Sequence, residues 1–226
     1  MTRGIFLVGN ESALSRAIEA ETINRVEQYA VALIPNRLSA GNLVGTGKPA
    51  ASENDKRLFL DWNPSSPISA RTLVLAAENR LENIDEAILI CSPPSIRSSA
   101  SEIPLSDIEI MTNDHIKGWF YLVRELADVF TNRQRGTLVL VYPDIGSGGG
   151  KDDAADVLGP AALASFRALT QGLLSSANNE KYTTVGFSIS DAGNEAAFAS
   201  FIYKHIDELT ARSNGKLHKF GKFKLF

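Results

Sequence analysis

Short apolar runs alternate with longer segments of helical periodicity along most of the chain. The apolar runs predict strands at residues 4–8, 29–34, 58–60, 87–91, 136–142 and 183–189. They mix valine, isoleucine and leucine without a polar alternation, which is typical of a parallel sheet covered on both faces. Apolar residues three and four apart predict helices at residues 12–24, 68–81, 106–130, 159–177 and 196–213. The alternation predicts one doubly wound α/β domain over residues 1–226, with helices on both faces of a parallel sheet.

Three segments fall outside this alternation. Residues 39–55 are polar and rich in Gly, Ser and Asn, so we expect a surface excursion. Residues 144–158 contain Gly146-Ser147-Gly148-Gly149-Gly150 and predict a flexible loop. Residues 215–226 alternate basic and apolar positions, which favours a last strand with lysines that block unwanted edge pairing. Binding of single-stranded nucleic acid is the less favoured interpretation of this tail.

Composition and charge narrow the classes of partner. The formal net charge of −3 gives no overall attraction to nucleic acid or to an anionic membrane. The apolar runs are too short to span a bilayer. The single cysteine, Cys91, allows no disulfide within the chain, and the three histidines have no metal-ligand spacing. We therefore expect a cytoplasmic protein without a metal, a nucleic acid or a membrane as partner.

Several motifs, in order along the chain, resemble one enzyme family. The first strand leads into Gly9-Asn10-Glu11-Ser12-Ala13-Leu14-Ser15 at a helix start, Asp61 follows the third strand, and Cys91-Ser92-Pro93-Pro94 follows the next. The segments 107–120 and 136–143 continue the match. Over nearly its whole length the chain resembles the short-chain dehydrogenases/reductases, which implies a Rossmann fold and a nicotinamide cofactor, NAD or NADP.

The resemblance implies a set of cofactor-binding residues, which are Gly9, Asn10, Ser12, Ala13, Leu14, Arg37, Asp61, Trp62, Cys91, Ser92 and Pro93. The family has three glycines in its first turn, and here Ala13 and Ser15 replace the second and third. Both are small, so phosphate binding at the helix N-terminus is weakened without being excluded. The alternative is a capped helix that binds nothing. Arg37 favours the 2′-phosphate of NADP, or is only a solvated surface charge.

The positions of the family's catalytic residues carry other side chains. Gly159 stands at the position of the tyrosine and Leu163 at that of the lysine four residues later. Pro143 replaces the serine and His115 the asparagine, and no Tyr-x-x-x-Lys occurs in the chain. Proton transfer therefore has no obvious donor.

His115, Tyr142 and Lys151 are the candidates for a substitute catalytic set. Histidine titrates near neutral pH, whereas a phenol needs a neighbouring positive charge to donate a proton there. The structural alternative is that His115 satisfies a backbone group at a helix start and Tyr142 packs at a strand end.

Two functions stay open from these residues. The first is a protein without standard dehydrogenase activity that serves as a regulatory or binding subunit and retains NAD(P) affinity. The second is an active NAD(P)-dependent oxidoreductase with atypical proton-transfer residues. In either case the resemblance implies a homo-oligomer, a dimer or a tetramer, or association with a related subunit, with residues 215–226 at a subunit interface.

Overall fold

Seven parallel strands form the centre of the molecule. The computed structural model describes residues 3–34, 38, 56–96, 98–144, 156–191 and 193–221. Within them, the strands are β1 (Ile5–Asn10), β2 (Tyr29–Ile34), β3 (Arg57–Phe59), β4 (Glu86–Ile90), β5 (Thr137–Pro143), β6 (Thr183–Ile189) and β7 (Lys216–Phe220). Their order across the sheet is β3-β2-β1-β4-β5-β6-β7, and every neighbouring pair is parallel. The chain therefore adds β2 and β3 on one side of β1 and then adds β4 to β7 on the other side, so the strand order reverses between β1 and β4.

Helices cover both faces of this sheet. They are α1 (Ala13–Ile23), α2 (Pro67–Leu81), α3 (Leu105–Thr112), α4 (Gly118–Arg133), α5 (Leu158–Ser176) and α6 (Glu195–Asp207), with a π-helical turn, Asn113–Lys117, between α3 and α4. Helices α1 and α6 pack together on one face, and α2, α4 and α5 cover the other. This arrangement confirms the predicted doubly wound α/β fold in a single domain.

Alternate side chains of each strand belong to two apolar layers, one on each face of the sheet. In β1, Phe6 and Val8 join the layer under α2, α4 and α5, whereas Ile5 and Leu7 join the layer under α1 and α6. A parallel sheet needs cover on both faces, and here the helices shield both layers from water. The centre of the first layer is aromatic: the ring centroid of Trp119 lies 5.1 Å from that of Phe166.

The predicted elements are confirmed with small shifts, except at two helices. Strands β2 and β6 have the predicted bounds. The helix predicted for residues 106–130 forms as α3 and α4, but the Gly118 amide donates to the Asn113 carbonyl five residues back, which places a π turn between them. The last helix ends at Asp207 and is followed by a separate 3-10 turn, Ala211–Ser213.

The predicted surface excursion, residues 39–55, and residues 145–155 of the predicted loop lie outside the described residues. The predicted last strand forms as β7, at the edge beside β6. In the described part of the chain, no helix is long and apolar enough to cross a membrane. No group of three or more His, Cys, Asp or Glu side chains in that part is placed to hold a metal ion.

Candidate functional site

The crevice at the carboxyl ends of β1 and β4 is the natural ligand position of this fold. After β1 the chain enters α1 on one face of the sheet, and after β4 it enters α3 and α4 on the other. Open α/β sheets bind ligands where the strand order reverses in this way. The predicted cofactor residues were assigned to the loops around this point.

The N-terminus of α1 is occupied by its own side chains. Ser12 is the N-cap residue, and its hydroxyl oxygen accepts a hydrogen bond from the Ser15 amide at 3.1 Å. The Ser15 hydroxyl oxygen in turn accepts one from the Ser12 amide at 2.9 Å. This reciprocal capping satisfies two of the donors that a phosphate would use. Within the described residues, the amides of Ala13 and Leu14 donate no hydrogen bond in this turn and can contact an anion.

Asn10 bridges the crevice between the two strand ends. Its side-chain amide donates to the Ser92 carbonyl, and its side-chain oxygen accepts from the Ser92 amide at 3.1 Å. Gly9 lies beside it, where a Cβ would lie only 2.8 Å from the Ile90 carbonyl oxygen. Gly9, Asn10 and Ser92 therefore hold β1 and β4 together at the point where the resemblance implies cofactor contacts.

A small cavity remains beside this bridge. It measures about 170 Å³ and is lined by Ser12, Ala13, Leu14, Ser92, Pro143, Ile189, Asp191 and Glu195. It brings together four of the predicted cofactor residues: Ser12, Ala13, Leu14 and Ser92. Sites for small molecules and cofactors usually occupy about 300–1,000 Å³. The cavity formed by the described residues is smaller than this range.

Two acidic residues on the far side of this cavity were missed by the sequence reasoning. Asp191 accepts a hydrogen bond from the Asn194 side chain at 2.8 Å, and Glu195 accepts one from the Gly193 amide at 3.2 Å. Their position after β6 was the available signal, because parallel strands place their carboxyl ends at one edge. Their negative charge opposes a phosphate in this cavity.

The turn after β4 packs directly against the start of α5. A Cβ built on Gly159 would lie 3.0 Å from the Pro94 carbonyl oxygen and 2.7 Å from Oδ2 of Asp156. Asp156 is held there because its other carboxylate oxygen accepts from the Gly159 amide at 3.0 Å. A side chain at the position that the resemblance assigns to a catalytic tyrosine would therefore require the Asp156 carboxylate and the Pro94 carbonyl to move.

A third apolar cluster closes the same end of the sheet. Leu38, Ile96, Met111 and Ala162 are buried together, with Leu158 packed against them. Leu38 follows β2 and Ile96 follows β4, so these two segments contact apolar side chains of this chain. In dinucleotide-binding domains, the loops at this end of the sheet hold the ligand.

The remaining predicted cofactor residues divide between core and surface. Trp62 is buried, with its ring centroid 5.9 Å from that of Trp119. Cys91 is fully buried in the same layer, and burial raises the pKa of its thiol far above the ordinary range. Asp61 is exposed and Pro93 is partly buried. Arg37 and Lys151 lie outside the described residues.

The candidate proton donors lie in buried positions. Tyr142 is 1% exposed, and its ring packs edge-on against Phe166. Burial raises the pKa of Tyr142, although the Arg167 guanidinium, 5.7 Å from the ring centroid, opposes the rise. His115 is 2% exposed and lies in the π-helical turn. Leu163 packs against the aromatic layer, an apolar setting for the position of the family's lysine.

No protein-family model matches the chain, and no curated protein matches it. Solved structures do match. Serine dehydrogenase from Escherichia coli is 14% identical, with a TM-score of 0.69, over 96% of this chain and 96% of that chain. A short chain dehydrogenase from Mycobacterium smegmatis is 12% identical, with a TM-score of 0.70, over 98% of this chain and 93% of that one. An NADH-dependent reductase complexed with NAD is 10% identical, with a TM-score of 0.71, over 96% and 94%.

The chain thus has the fold of the short-chain dehydrogenases/reductases from end to end. This confirms the resemblance drawn from the sequence at the level of the fold. Because the identities are this low, the likeness shows the fold alone. The chemistry has to be argued from the residues of this chain.

Proposed function

We propose that this chain is a binding or regulatory subunit built on a dehydrogenase fold, without dehydrogenase activity of its own. The observation that carries the proposal is the contact between Gly159 and the Pro94 carbonyl, 3.0 Å from the position of a Cβ. The Pro94 backbone and the Asp156 carboxylate crowd the position where the related fold has an ionisable side chain.

The chemistry of the neighbouring positions supports this proposal. Hydride transfer to a carbonyl needs a proton donor within hydrogen-bond reach of the substrate oxygen. Glycine and leucine at 159 and 163 have no ionisable group, and Pro143 has no hydroxyl. Leu163 also lies in apolar surroundings. These positions therefore supply none of the side chains of the family's proton relay.

The described residues fit a dinucleotide poorly. The 170 Å³ cavity, the cap formed by Ser12 and Ser15, and the carboxylates of Asp191 and Glu195 all oppose binding of a pyrophosphate. One of the similar structures holds NAD, which supports NAD or NADP as the ligand class through the fold alone. We therefore propose that any contact with a nucleotide is weak and confined to the amides of Ala13 and Leu14.

The second candidate is an oxidoreductase that uses His115 and Tyr142 as proton donors. The burial of Tyr142, at 1% exposure, and the raised pKa of its phenol count against it. A buried phenol with a raised pKa neither reaches a substrate nor releases a proton at neutral pH. This candidate ranks below the binding subunit.

The cytoplasmic location expected from the single cysteine stays a prediction.

A thermal-shift titration with NAD, NADH, NADP and NADPH tests the proposal. With a dissociation constant of about 1 mM, a ligand at about 1 mM stabilises by about 0.4 kcal/mol, or about 1 °C in Tm for a chain of this size. We expect shifts no larger than this for all four cofactors. The control variant is Ala13→Asp, which places a negative charge at the α1 N-terminus and removes any shift that arises in the crevice.

Saturable stabilisation at micromolar cofactor, lost in Ala13→Asp, would contradict the proposal. It would mean that the crevice admits a whole dinucleotide, and it would place the oxidoreductase first.

A further inference from the structure

Two histidines meet at the β7 edge of the sheet, outside the residues that line the crevice. His205 lies in the last turn of α6, and His218 lies in the middle of β7. In the pairing of β7 with β6, His218 is the neighbour of Phe187, whose side chain belongs to the layer under α1 and α6. Paired residues of neighbouring parallel strands point to the same face, so His218 also faces α6. The ring centroids of His205 and His218 lie 4.6 Å apart.

One ring nitrogen of His205 is bound to its own helix. Nδ1 lies 2.9 Å from the Phe201 carbonyl oxygen, one turn earlier in α6. A carbonyl oxygen only accepts hydrogen bonds, so Nδ1 carries the proton and donates it. Nε2 of the neutral ring then has a free lone pair. Histidines that bind metal ions usually donate their other N–H to a carbonyl or a carboxylate in this way.

Nε2 of His218 is a buried polar atom that has no hydrogen-bond partner among the described residues. The ring of His218 stacks on that of Phe187, with centroids 5.2 Å apart, and the hydrocarbon ring offers this nitrogen no conventional hydrogen bond. Buried polar atoms are paired in nearly all native proteins, and an orphaned one calls for an explanation such as a bound water or ion. A ligand on Nε2 would supply the missing partner.

The spacing of the two rings suits adjacent positions around one metal ion. Bonds from a metal ion to histidine nitrogen are about 2.0–2.1 Å long, which places the ion about 3.2 Å from the centroid of each ring. Two centroids 4.6 Å apart then subtend an angle of about 90° at the ion. Adjacent ligands of a square-planar or octahedral ion are separated by this angle. Nitrogen and oxygen ligands in such a tetragonal arrangement favour Cu²⁺ or Ni²⁺.

We propose that His205 and His218 form a two-histidine site for a late first-row divalent transition-metal ion, with Cu²⁺ bound most tightly. Nε2 of each ring is a ligand, and water fills the remaining positions. Imidazole nitrogen suits these ions, and affinity rises along the series to copper. The bound ion joins the last helix to the edge strand and thereby stabilises this end of the sheet. None of the residues that carry the proposed function takes part.

The spacing of the histidines along the sequence did not predict this site. The two residues are 13 positions apart, on a helix and a strand with a 3-10 turn between them. The register of β7 on β6 brings His218 to the face that α6 covers. Local spacing does not detect ligands that come from two elements, which is why we expected no metal ion from the sequence.

Isothermal titration calorimetry of the full chain, without a histidine tag and freed of metal with EDTA, tests the site at about pH 7.5. We expect one Cu²⁺ per chain, weaker binding of Ni²⁺ and Zn²⁺, and no binding of Mg²⁺ at the same concentrations. His205→Gln and His218→Gln each remove one ligand, so each weakens Cu²⁺ binding at least about tenfold. Lys219→Gln is the matched control, because Lys219 is exposed on the same strand and faces away from α6. Its affinity for Cu²⁺ stays that of the unchanged chain.

Electron paramagnetic resonance of the Cu²⁺-loaded chain counts the bound nitrogens without any substitution. We expect coupling to two imidazole nitrogens, and to one in either histidine variant that circular dichroism shows to be folded. Cu²⁺ binding that both variants keep unchanged would overturn the proposal, because it would place the ion on the amino terminus or on carboxylates. So would a chain that binds no Cu²⁺ at about 100 µM, which is the result expected if only a water occupies Nε2 of His218.

Discussion

Replacing Gly159 by alanine measures how tightly the turn after β4 closes against α5. The new methyl group would lie 3.0 Å from the Pro94 carbonyl oxygen and 2.7 Å from Oδ2 of Asp156. Both distances are shorter than ordinary contacts between carbon and oxygen. The Asp156 carboxylate has little freedom to move away, because it also accepts the hydrogen bond from the amide of residue 159.

Two opposing effects set the magnitude. Alanine favours a helix over glycine by at most about 1 kcal/mol. An added methyl group in a packed site costs about 1–3 kcal/mol, and a weakened cap costs about 1 kcal/mol more. The steric cost wins, and we expect Gly159→Ala to lower the free energy of unfolding by about 1–3 kcal/mol, or Tm by about 2–12 °C.

Gly172→Ala is the matched control, because Gly172 lies in the same helix with nothing within 4 Å of an added Cβ. There only the helix preference acts, so this variant gains about 0.5–1 kcal/mol. Urea denaturation of both variants beside the unchanged chain gives the comparison. If Gly159→Ala were stabilising to the same degree as Gly172→Ala, the position would be open, and the argument that its neighbours crowd it would fail.

Two further predictions concern titratable groups, the partly buried His218 and the buried Cys91. The His218 ring stacks on Phe187 and lies 4.6 Å from the His205 ring, and its pKa is lowered by burial first and then by the positive charges of His205 and Lys216. The unfolded chain therefore takes up this proton before the folded one, so stability falls as the pH drops below 6.5. Urea midpoints from about pH 7.5 to about pH 5 should show this fall and a flatter profile in His218→Gln, and a midpoint that rises on acidification would contradict it. The Cys91 thiol, buried and with a raised pKa, should react with a thiol reagent only when the chain unfolds, and rapid labelling of the native protein would contradict its place in the core.

The strands followed from the sequence because a covered parallel sheet requires continuous apolar runs. Tyr29–Ile34 has no polar interruption of that pattern, and Thr183–Ile189 keeps apolar side chains at alternate positions from Val185; the bounds of both strands were predicted correctly. The π turn at Asn113–Lys117 was not predictable in this way. A π turn adds one residue to the hydrogen-bonded ring, and the spacing of apolar residues does not reveal it.

The candidate site was harder to predict because its contacts join distant segments. Ser12, Ala13, Leu14 and Ser92 do line one cavity, as their places after β1 and β4 implied. Trp62 was among the cofactor residues that the resemblance implies, yet its indole lies in the core beside Trp119. Nothing in local periodicity sets the direction of a side chain in a loop.

The contact between the turn after β4 and α5 was hard to predict for the same reason, because it too joins distant segments. Gly159 is recognisable in the sequence as the loss of a tyrosine. The 65-residue separation between Pro94 and Gly159 hides the contact that replaces that tyrosine.

The central claim is that this chain keeps the dehydrogenase fold while its own residues fill the catalytic end of the crevice. A crystal structure grown with excess NADH tests it most directly. We predict that the Pro94 carbonyl stays against Gly159, that Ser12 and Ser15 keep their reciprocal hydrogen bonds, and that no dinucleotide crosses the carboxyl ends of β1 and β4. A bound NADH extending from the α1 N-terminus to Pro143, with the turn after β4 moved away from α5, would contradict the claim.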